Sequence, residues 1–139
     1  MSDLNSIYTF TKSDLLLDDI ERILNFNIQI QLSDDIKENI ISNRVFLEKK
    51  IFNNDKLYYG INTGFGSLCN QEISKDDLKK LQLNLVRSHA CGALDEIDTL
   101  IVKIMLLLKV NALTKGFSGV TLDTVERLVF LFNHNIFPV

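Results

Sequence analysis

The sequence has few cysteines and no long apolar run, and each shortage excludes a class of protein. Its two cysteines, Cys69 and Cys91, form no CxxC pair and are too few for a disulfide framework, so we expect reduced thiols and no metal site. The apolar run from Ile104 to Leu108 lies between two lysines and is far too short to cross a bilayer. The first residues show no basic segment followed by an apolar one, so no signal peptide is predicted.

An excess of charge of one sign is also missing. The formal net charge is −3, with 24% charged residues, which gives no reason to expect nucleic acid or an anionic membrane as a partner. A chain of 139 residues with 46% apolar side chains is long enough to bury one core. The composition therefore predicts one soluble, cytoplasmic domain over residues 1–139.

Apolar residues recur at the spacing of helices, so the predicted fold class is all-α. Ser13 is a candidate cap for a first helix that runs to about Asn25. A second helix is predicted from Ser33, because the carboxylates of the following Asp34 and Asp35 oppose the helix dipole favourably, and it ends at residues 53–55. Residues 57–59 form the only extended piece that the pattern indicates.

Three more helices are predicted in the second half. Ser74 with Asp77 indicates a capped start for a helix from about Lys75 to Cys91. Residues 98–113 are apolar on nearly every side, which is typical of a buried helix. So apolar a helix needs more neighbours than this chain supplies, which indicates a part of a larger protein or an obligate assembly. After a turn at residues 116–119, the last helix starts at Thr121 or Asp123.

A glycine-rich loop interrupts this helical pattern at residues 59–66. Its three glycines make a helix impossible and a strand poor, so the simplest interpretation is a surface connection. A phosphate-binding loop is disfavoured because the Gly-Lys-Ser/Thr of the Walker pattern is absent. The third interpretation is a mobile lid that presents Tyr59 to a substrate. The loop residues concerned are Gly60, Asn62, Thr63, Gly64, Phe65 and Gly66.

The segment Tyr-Gly-Ile-Asn-Thr-Gly-Phe-Gly resembles the tyrosine loop of the aromatic amino acid ammonia-lyases. Two further segments, residues 84–92 and 111–120, are similar to the next two motifs of that family and follow in the same order. The resemblance covers residues 59–120 and is closest to the histidine ammonia-lyases. It implies an amino-terminal helical domain of the ammonia-lyase/fumarase-like superfamily.

The resemblance also implies a chemistry. These enzymes eliminate ammonia without an external cofactor, using a methylidene-imidazolone electrophile made from an internal Ala-Ser-Gly, and they need a base near the β-carbon of the substrate. Tyr59 takes the acid/base role by resemblance, with the glycine loop opening for substrate and closing against water. A phenol is protonated at neutral pH, so this role requires positive charge or hydrogen-bond donors nearby.

Ser88 and His89 match the pair that contacts the substrate side chain in the family. Taken alone, His89 is more simply a packed helix residue. The Ser-His pair resembles that of histidine-specific members, whereas tyrosine lyases tend to have His-Leu and phenylalanine lyases Phe-Leu. An imidazole can hydrogen-bond a substrate imidazole, so the implied substrate is L-histidine and the products are urocanate and ammonia.

The 139 residues contain no Ala-Ser-Gly. The resemblance therefore implies a segment truncated before the electrophile motif, inactive by itself and belonging to a homotetramer with active sites shared between subunits. The alternatives are a segment of a tyrosine or phenylalanine ammonia-lyase or of an aminomutase, and a non-catalytic helical protein that binds an aromatic amino acid or a lyase subunit.

Overall fold

The computed structural model describes residues 6–52, 56–71, 73–74, 77–93 and 95–137. These residues form five α-helices, two short strands and a 3₁₀ turn at Gly66–Leu68. The mostly helical fold that the sequence predicts is confirmed. In chain order the elements are β1 (Ile7–Phe10), α1 (Leu17–Asn25), β2 (Gln29–Leu32), α2 (Asp34–Phe52), α3 (Leu78–His89), α4 (Thr99–Thr114) and α5 (Leu122–Asn133).

The two strands are the feature that the sequence analysis did not predict. β1 and β2 pair in parallel, with Ile7 opposite Gln29 and Phe10 opposite Leu32, and α1 connects them. Each strand has four residues, which is too short for alternation to be told from helical spacing. The prediction of no strand outside residues 57–59 is therefore wrong, and residues 59–62 form a turn instead.

The predicted start of the first helix is misplaced. α1 begins at Leu17 rather than after Ser13, because the Asp19 carboxylate accepts the Leu16 N–H at 3.2 Å and closes the first turn there. α3 begins at Leu78 and ends at His89, so it is shorter than the predicted helix, whose start at Lys75 lies outside the described residues.

The other helices begin close to where their local signals indicate. α2 begins at Asp34, directly after Ser33. The Asp98 carboxylate accepts the Leu100 N–H at 2.7 Å and caps α4, as an Asn, Asp, Ser or Thr at this position commonly does. Thr121 is the residue before the first turn of α5.

The chain divides into two compact units, residues 1–48 with 96–139, and residues 49–95. The described hydrophobic core belongs to the first unit. The buried side of α4 forms one part of this core, and the buried residues of the two strands form another part. Each fully buried large aliphatic side chain contributes roughly 1.5–3 kcal/mol to folding. The members of this core are Phe10, Ile23, Ile28, Ile30, Leu32, Ile36, Ile40, Leu106, Leu107, Val110, Leu113, Val125 and Phe132.

The turn between α4 and α5 is fastened to α2. The Gly119 N–H donates to Asn43 Oδ1 at 2.7 Å, and the Arg44 guanidinium donates to the Gly119 carbonyl at 3.1 Å. Gly116 and Gly119 both have positive φ, at 74° and 65°, and a Cβ at either would overlap a side chain of α2. The turn therefore has a structural role in the first unit.

α4 departs from the buried helix that its composition predicts. Val102, Leu106 and Val110 face the core, but the opposite face is solvent-exposed although its residues are also apolar. Along the described residues, no helix combines the length and the apolarity needed to cross a bilayer.

Candidate functional site

The glycine-rich loop lies in the second unit and is closed by its own backbone. The Gly64 N–H donates to the Gln71 carbonyl at 3.2 Å, and the Ile73 N–H donates to the Asn62 carbonyl at 3.0 Å. Gly60 and Gly66 have φ of 72° and 58°, a conformation that favours glycine. The chain can therefore turn sharply at both ends of the segment.

Two polar side chains brace this loop from inside. Asn62 Oδ1 accepts the Tyr58 N–H at 2.6 Å, and its Nδ2 donates to the Lys56 carbonyl at 2.9 Å. Thr63 is fully buried, and its hydroxyl accepts the Gly60 N–H at 3.2 Å and donates to the Gly64 carbonyl at 3.0 Å. These bonds satisfy groups that the loop backbone would otherwise leave unpaired.

The loop holds the Tyr59 ring from two sides. The Gly66 N–H points at the phenolic oxygen across 3.5 Å, and the Phe65 ring packs edge-on with centroids 6.0 Å apart and an interplanar angle of 74°. A Cβ at position 60 would lie 3.3 Å from the Phe65 ring, which is a tight contact. The glycine at this position therefore leaves room for the ring. Tyr59 itself is 65% exposed, so a small molecule can reach its hydroxyl.

Ser88 and His89 occupy the last turn of α3. His89 Nδ1 lies 2.9 Å from the Leu85 carbonyl and 3.0 Å from Ser88 Oγ, and Ser88 Oγ donates to the same carbonyl at 2.9 Å. A carbonyl oxygen only accepts, so this geometry favours the neutral tautomer that carries the proton on Nδ1 and the lone pair on Nε2. Both side chains are exposed, which contradicts the interpretation of His89 as a packed core residue.

The predicted site residues thus form two groups within the second unit. Tyr59 contacts Phe65 and Gly66 of its own loop, while Ser88 and His89 contact Leu85 of their own helix. In the part of the chain that the structure describes, no hydrogen bond or ring contact joins the two groups.

The sequence identified the loop members but not the bracing by Asn62 and Thr63. The bracing could have been predicted from the presence of an asparagine and a threonine between glycines, because such side chains commonly form hydrogen bonds with nearby backbone groups. The thiols of Cys69 and Cys91 are not joined in a disulfide. Within the described residues, no three metal-ligating side chains come together.

Comparison with known proteins identifies relatives along most of the chain. The sequence profile of the aromatic amino acid lyase family matches residues 15–139. A histidine ammonia-lyase of Clostridium tetani is 38% identical over 128 residues, which are 92% of this chain and 25% of that protein. The chain therefore spans about a quarter of the length of this relative.

Two solved structures share the fold over the same extent. Histidine ammonia-lyase from Trypanosoma cruzi superimposes with a TM-score of 0.74 and 33% identity, covering 91% of this chain and 24% of that one. Ergothionase from Treponema denticola, an ergothioneine degrading enzyme, superimposes with a TM-score of 0.87 and 26% identity, covering 96% of this chain and 27% of that one.

Proposed function

The chain belongs to the aromatic amino acid lyase family, and we propose that it is the amino-terminal part of an ammonia-lyase that converts L-histidine into urocanate and ammonia. The observation that carries this proposal is that one compact unit contains both a braced, exposed tyrosine loop and an exposed Ser-His pair. The whole enzyme is proposed to be a cytoplasmic homotetramer.

We assign the proton transfer at the β-carbon to Tyr59. The Tyr59 side chain is 65% exposed, and the Gly66 N–H lies 3.5 Å from its phenolic oxygen. The edge of the Phe65 ring limits how far the Tyr59 ring can swing. Gly60, Asn62, Thr63 and Gly64 are positioning residues, because they hold the backbone that carries the phenol.

We assign recognition of the substrate side chain to Ser88 and His89. In the tautomer that donates from Nδ1 to the Leu85 carbonyl, Nε2 of the exposed His89 side chain can accept a hydrogen bond. An acceptor there matches the N–H of a substrate imidazole, whereas a phenyl side chain offers no donor. This match supports L-histidine over phenylalanine.

The electrophile of the family does not fit the residues of this chain. The methylidene-imidazolone group supplies the electron-poor centre that promotes loss of the amine, and it is made from Ala-Ser-Gly, which occurs nowhere in the 139 residues. We therefore propose only binding and proton transfer for the residues of this chain, and none of them supplies the electrophile.

A chimera tests the proposal. This chain replaces the matched 128-residue segment of the Clostridium tetani histidine ammonia-lyase, and urocanate formation from L-histidine is followed by absorbance. We expect activity in the chimera, a fall in kcat of about 10²–10⁴-fold on Tyr59→Phe, and little change on the matched Tyr58→Phe. The isolated chain should form no urocanate.

The same assay tests the substrate. Ser88→His with His89→Leu should weaken turnover of L-histidine and improve that of L-tyrosine, because His89→Leu removes the proposed imidazole acceptor and the resulting His-Leu pair resembles that of the tyrosine lyases. A chimera that prefers tyrosine, phenylalanine or ergothioneine without these changes would contradict the substrate assignment. Urocanate formation by the isolated chain would contradict the role of the chain as an incomplete segment.

A further inference from the structure

A cavity of about 210 Å³ lies in the first unit, where the end of α1, the start of β2, one side of α4 and the end of α5 meet. Pockets for drug-sized ligands measure roughly 300–1,000 Å³, so this cavity has room only for a small molecule or an ion. We call it the Lys103 cavity. Its polar lining residues are Asn27, Gln29, Lys103, Asn133 and Asn135.

Among the described residues that line the cavity, only Lys103 is charged. Its ammonium donates to the side-chain oxygens of Asn27 and Asn135 and lies 5.3 Å from the centroid of the Phe132 ring. None of the ion pairs between described residues includes Lys103, and partial burial lowers the pKa of its ammonium. The cavity therefore holds a partly desolvated cation whose charge is not balanced by a carboxylate of the described chain.

Two helices end at this cavity in the same way. Asn27 follows the end of α1 and Asn135 that of α5, and both have positive φ, at 53° and 52°. Asparagine adopts this left-handed conformation more easily than most residues. At each end an N–H beyond the helix donates to a carbonyl of the last turn, at 3.0 Å for Ile28 and 2.9 Å for Ile136. These bonds satisfy carbonyls whose partial negative charge would otherwise disfavour an anion in the cavity.

The unused hydrogen-bonding groups around Lys103 are donors. An ammonium has three N–H groups and no acceptor, so two of them engage the oxygens of Asn27 and Asn135 and one is left. With their oxygens facing the ammonium, the two asparagines keep their amide nitrogens as further donors. The amide of Asn133 is already occupied by the backbone of Ile30. A cation surrounded by spare donors matches a ligand whose oxygens only accept.

We propose that the Lys103 cavity binds a small oxyanion, a carboxylate or a phosphate, whose oxygens accept from the Lys103 ammonium and from the amide nitrogens of Asn27 and Asn135. A hydrogen bond between ionised groups is roughly twice as strong as one between neutral groups, so the ammonium contributes most of the affinity. The inference goes beyond the proposed function, because Tyr59, Ser88 and His89 all belong to the second unit.

Titrations of the 139-residue chain with two probes test this inference. Sodium phosphate and sodium acetate are each compared with sodium chloride at equal ionic strength, which removes the effect of screening. The side-chain amide signals of Asn27 and Asn135 are followed by NMR. We expect saturable shifts, together with a rise in the pKa of Lys103, since a bound anion favours the charged form. Saturation by phosphate alone assigns the cavity to phosphate groups, and saturation by acetate assigns it to carboxylates.

Two variants remove the site in different ways. Lys103→Met deletes the ammonium, whereas Asn135→Asp gives the ammonium a carboxylate of the chain itself. Each should raise the dissociation constant of the anion about tenfold or more, the effect of losing a charge-assisted hydrogen bond. Lys109→Met and Asn70→Asp make the same two changes of charge at exposed positions that do not line the cavity, and they should leave binding unchanged.

Three results would overturn the inference: no saturation with either probe, unchanged binding in the two cavity variants, or equal weakening by the two controls. The last of these would assign the shifts to net charge rather than to the cavity. Circular dichroism shows whether each variant folds. If Lys103→Met does not fold, the comparison of Asn135→Asp with Asn70→Asp decides alone.

Discussion

Asn133 at the end of α5 forms two hydrogen bonds with the backbone of Ile30 in β2. Its Oδ1 accepts the Ile30 N–H at 2.8 Å, and its Nδ2 donates to the Ile30 carbonyl at 2.9 Å. The two residues are 103 positions apart, and Ile30 is only 1% exposed. One amide side chain thus satisfies both polar groups of a buried strand residue.

Replacing Asn133 should therefore destabilise the fold measurably. Asn133→Ala leaves the Ile30 N–H and carbonyl without partners, and an unsatisfied buried group costs about 1–3 kcal/mol. We expect a loss of about 2–3 kcal/mol in the free energy of unfolding, measured by urea denaturation. Asn25→Ala, at the exposed end of α1, is the control and should change it by less than about 0.5 kcal/mol. Equal effects of the two variants would contradict the bracing role.

Gly119 should not tolerate a side chain. Its φ of 65° strains any residue with a Cβ, and that Cβ would also overlap the Leu47 side chain. Gly119→Ala should cost about 1–3 kcal/mol by denaturation. Gly92→Ala, where no atom lies within 4 Å of the added Cβ, is the matched control.

A double variant separates the strain at Gly119 from the overlap. Leu47→Ala should cost less in the Gly119→Ala background than in the wild type, because the truncated side chain makes room for the new Cβ. The same cost in both backgrounds would mean that backbone strain alone accounts for the effect.

The imidazole of His89 should carry its neutral-state proton on Nδ1. The acceptor at 2.9 Å is the Leu85 carbonyl, and the second histidine provides an internal comparison, since His134 Nδ1 lies 2.8 Å from the Phe130 carbonyl. Long-range proton–nitrogen correlation spectra distinguish the two ring nitrogens. A proton on Nε2 of His89 would remove the acceptor on which the substrate assignment relies.

Lys103 should lose its proton at a lower pH than an ordinary lysine. Burial lowers the pKa of this ammonium, which lies 5.3 Å from the centroid of the Phe132 ring. The unfolded chain then binds more protons than the folded one between the folded-state pKa and about 10.4, so stability rises with pH across that window. An NMR titration of the Lys103 side chain should give a midpoint below 10.4, which Lys103→Met removes; a midpoint at or above that value would contradict the burial argument.

The sequence predicts those parts of the fold that depend on local signals. The start of α2 after Ser33 is read from neighbouring residues, and the structure agrees with it. The apolar pattern likewise placed the next-to-last helix at residues 98–113, close to the observed Thr99–Thr114, although the cap by Asp98 was not predicted. β1 and β2 could not be predicted in the same way, because four-residue strands depend on a partner about 20 positions away rather than on their own pattern. α1 begins later than predicted because the Asp19 carboxylate, and not Ser13, forms the side-chain hydrogen bond at its start, where it accepts the Leu16 N–H.

In the candidate site, too, the features that depend on local sequence signals could be predicted and the others could not. The glycine pattern identified the loop and the position of Tyr59, but the hydrogen bonds of Asn62 and Thr63 depend on how the backbone closes on itself. The exposure of His89 could not be read from spacing, since the apolar side of α3 continues to that position while its last turn faces solvent. The roles of Tyr59, Ser88 and His89 stay predictions that the chimera tests.

The pairing of Asn133 with Ile30 also limits what β2 can join. In a parallel pair, alternate residues of a strand turn their N–H and carbonyl groups toward the partner, and those between them turn outward to a free edge. The outward groups at the middle of β2 belong to Ile30, and the Asn133 amide already occupies both. A strand from another molecule would have to displace that side chain before it could extend the sheet, so the amide protects this edge against aggregation by strand addition.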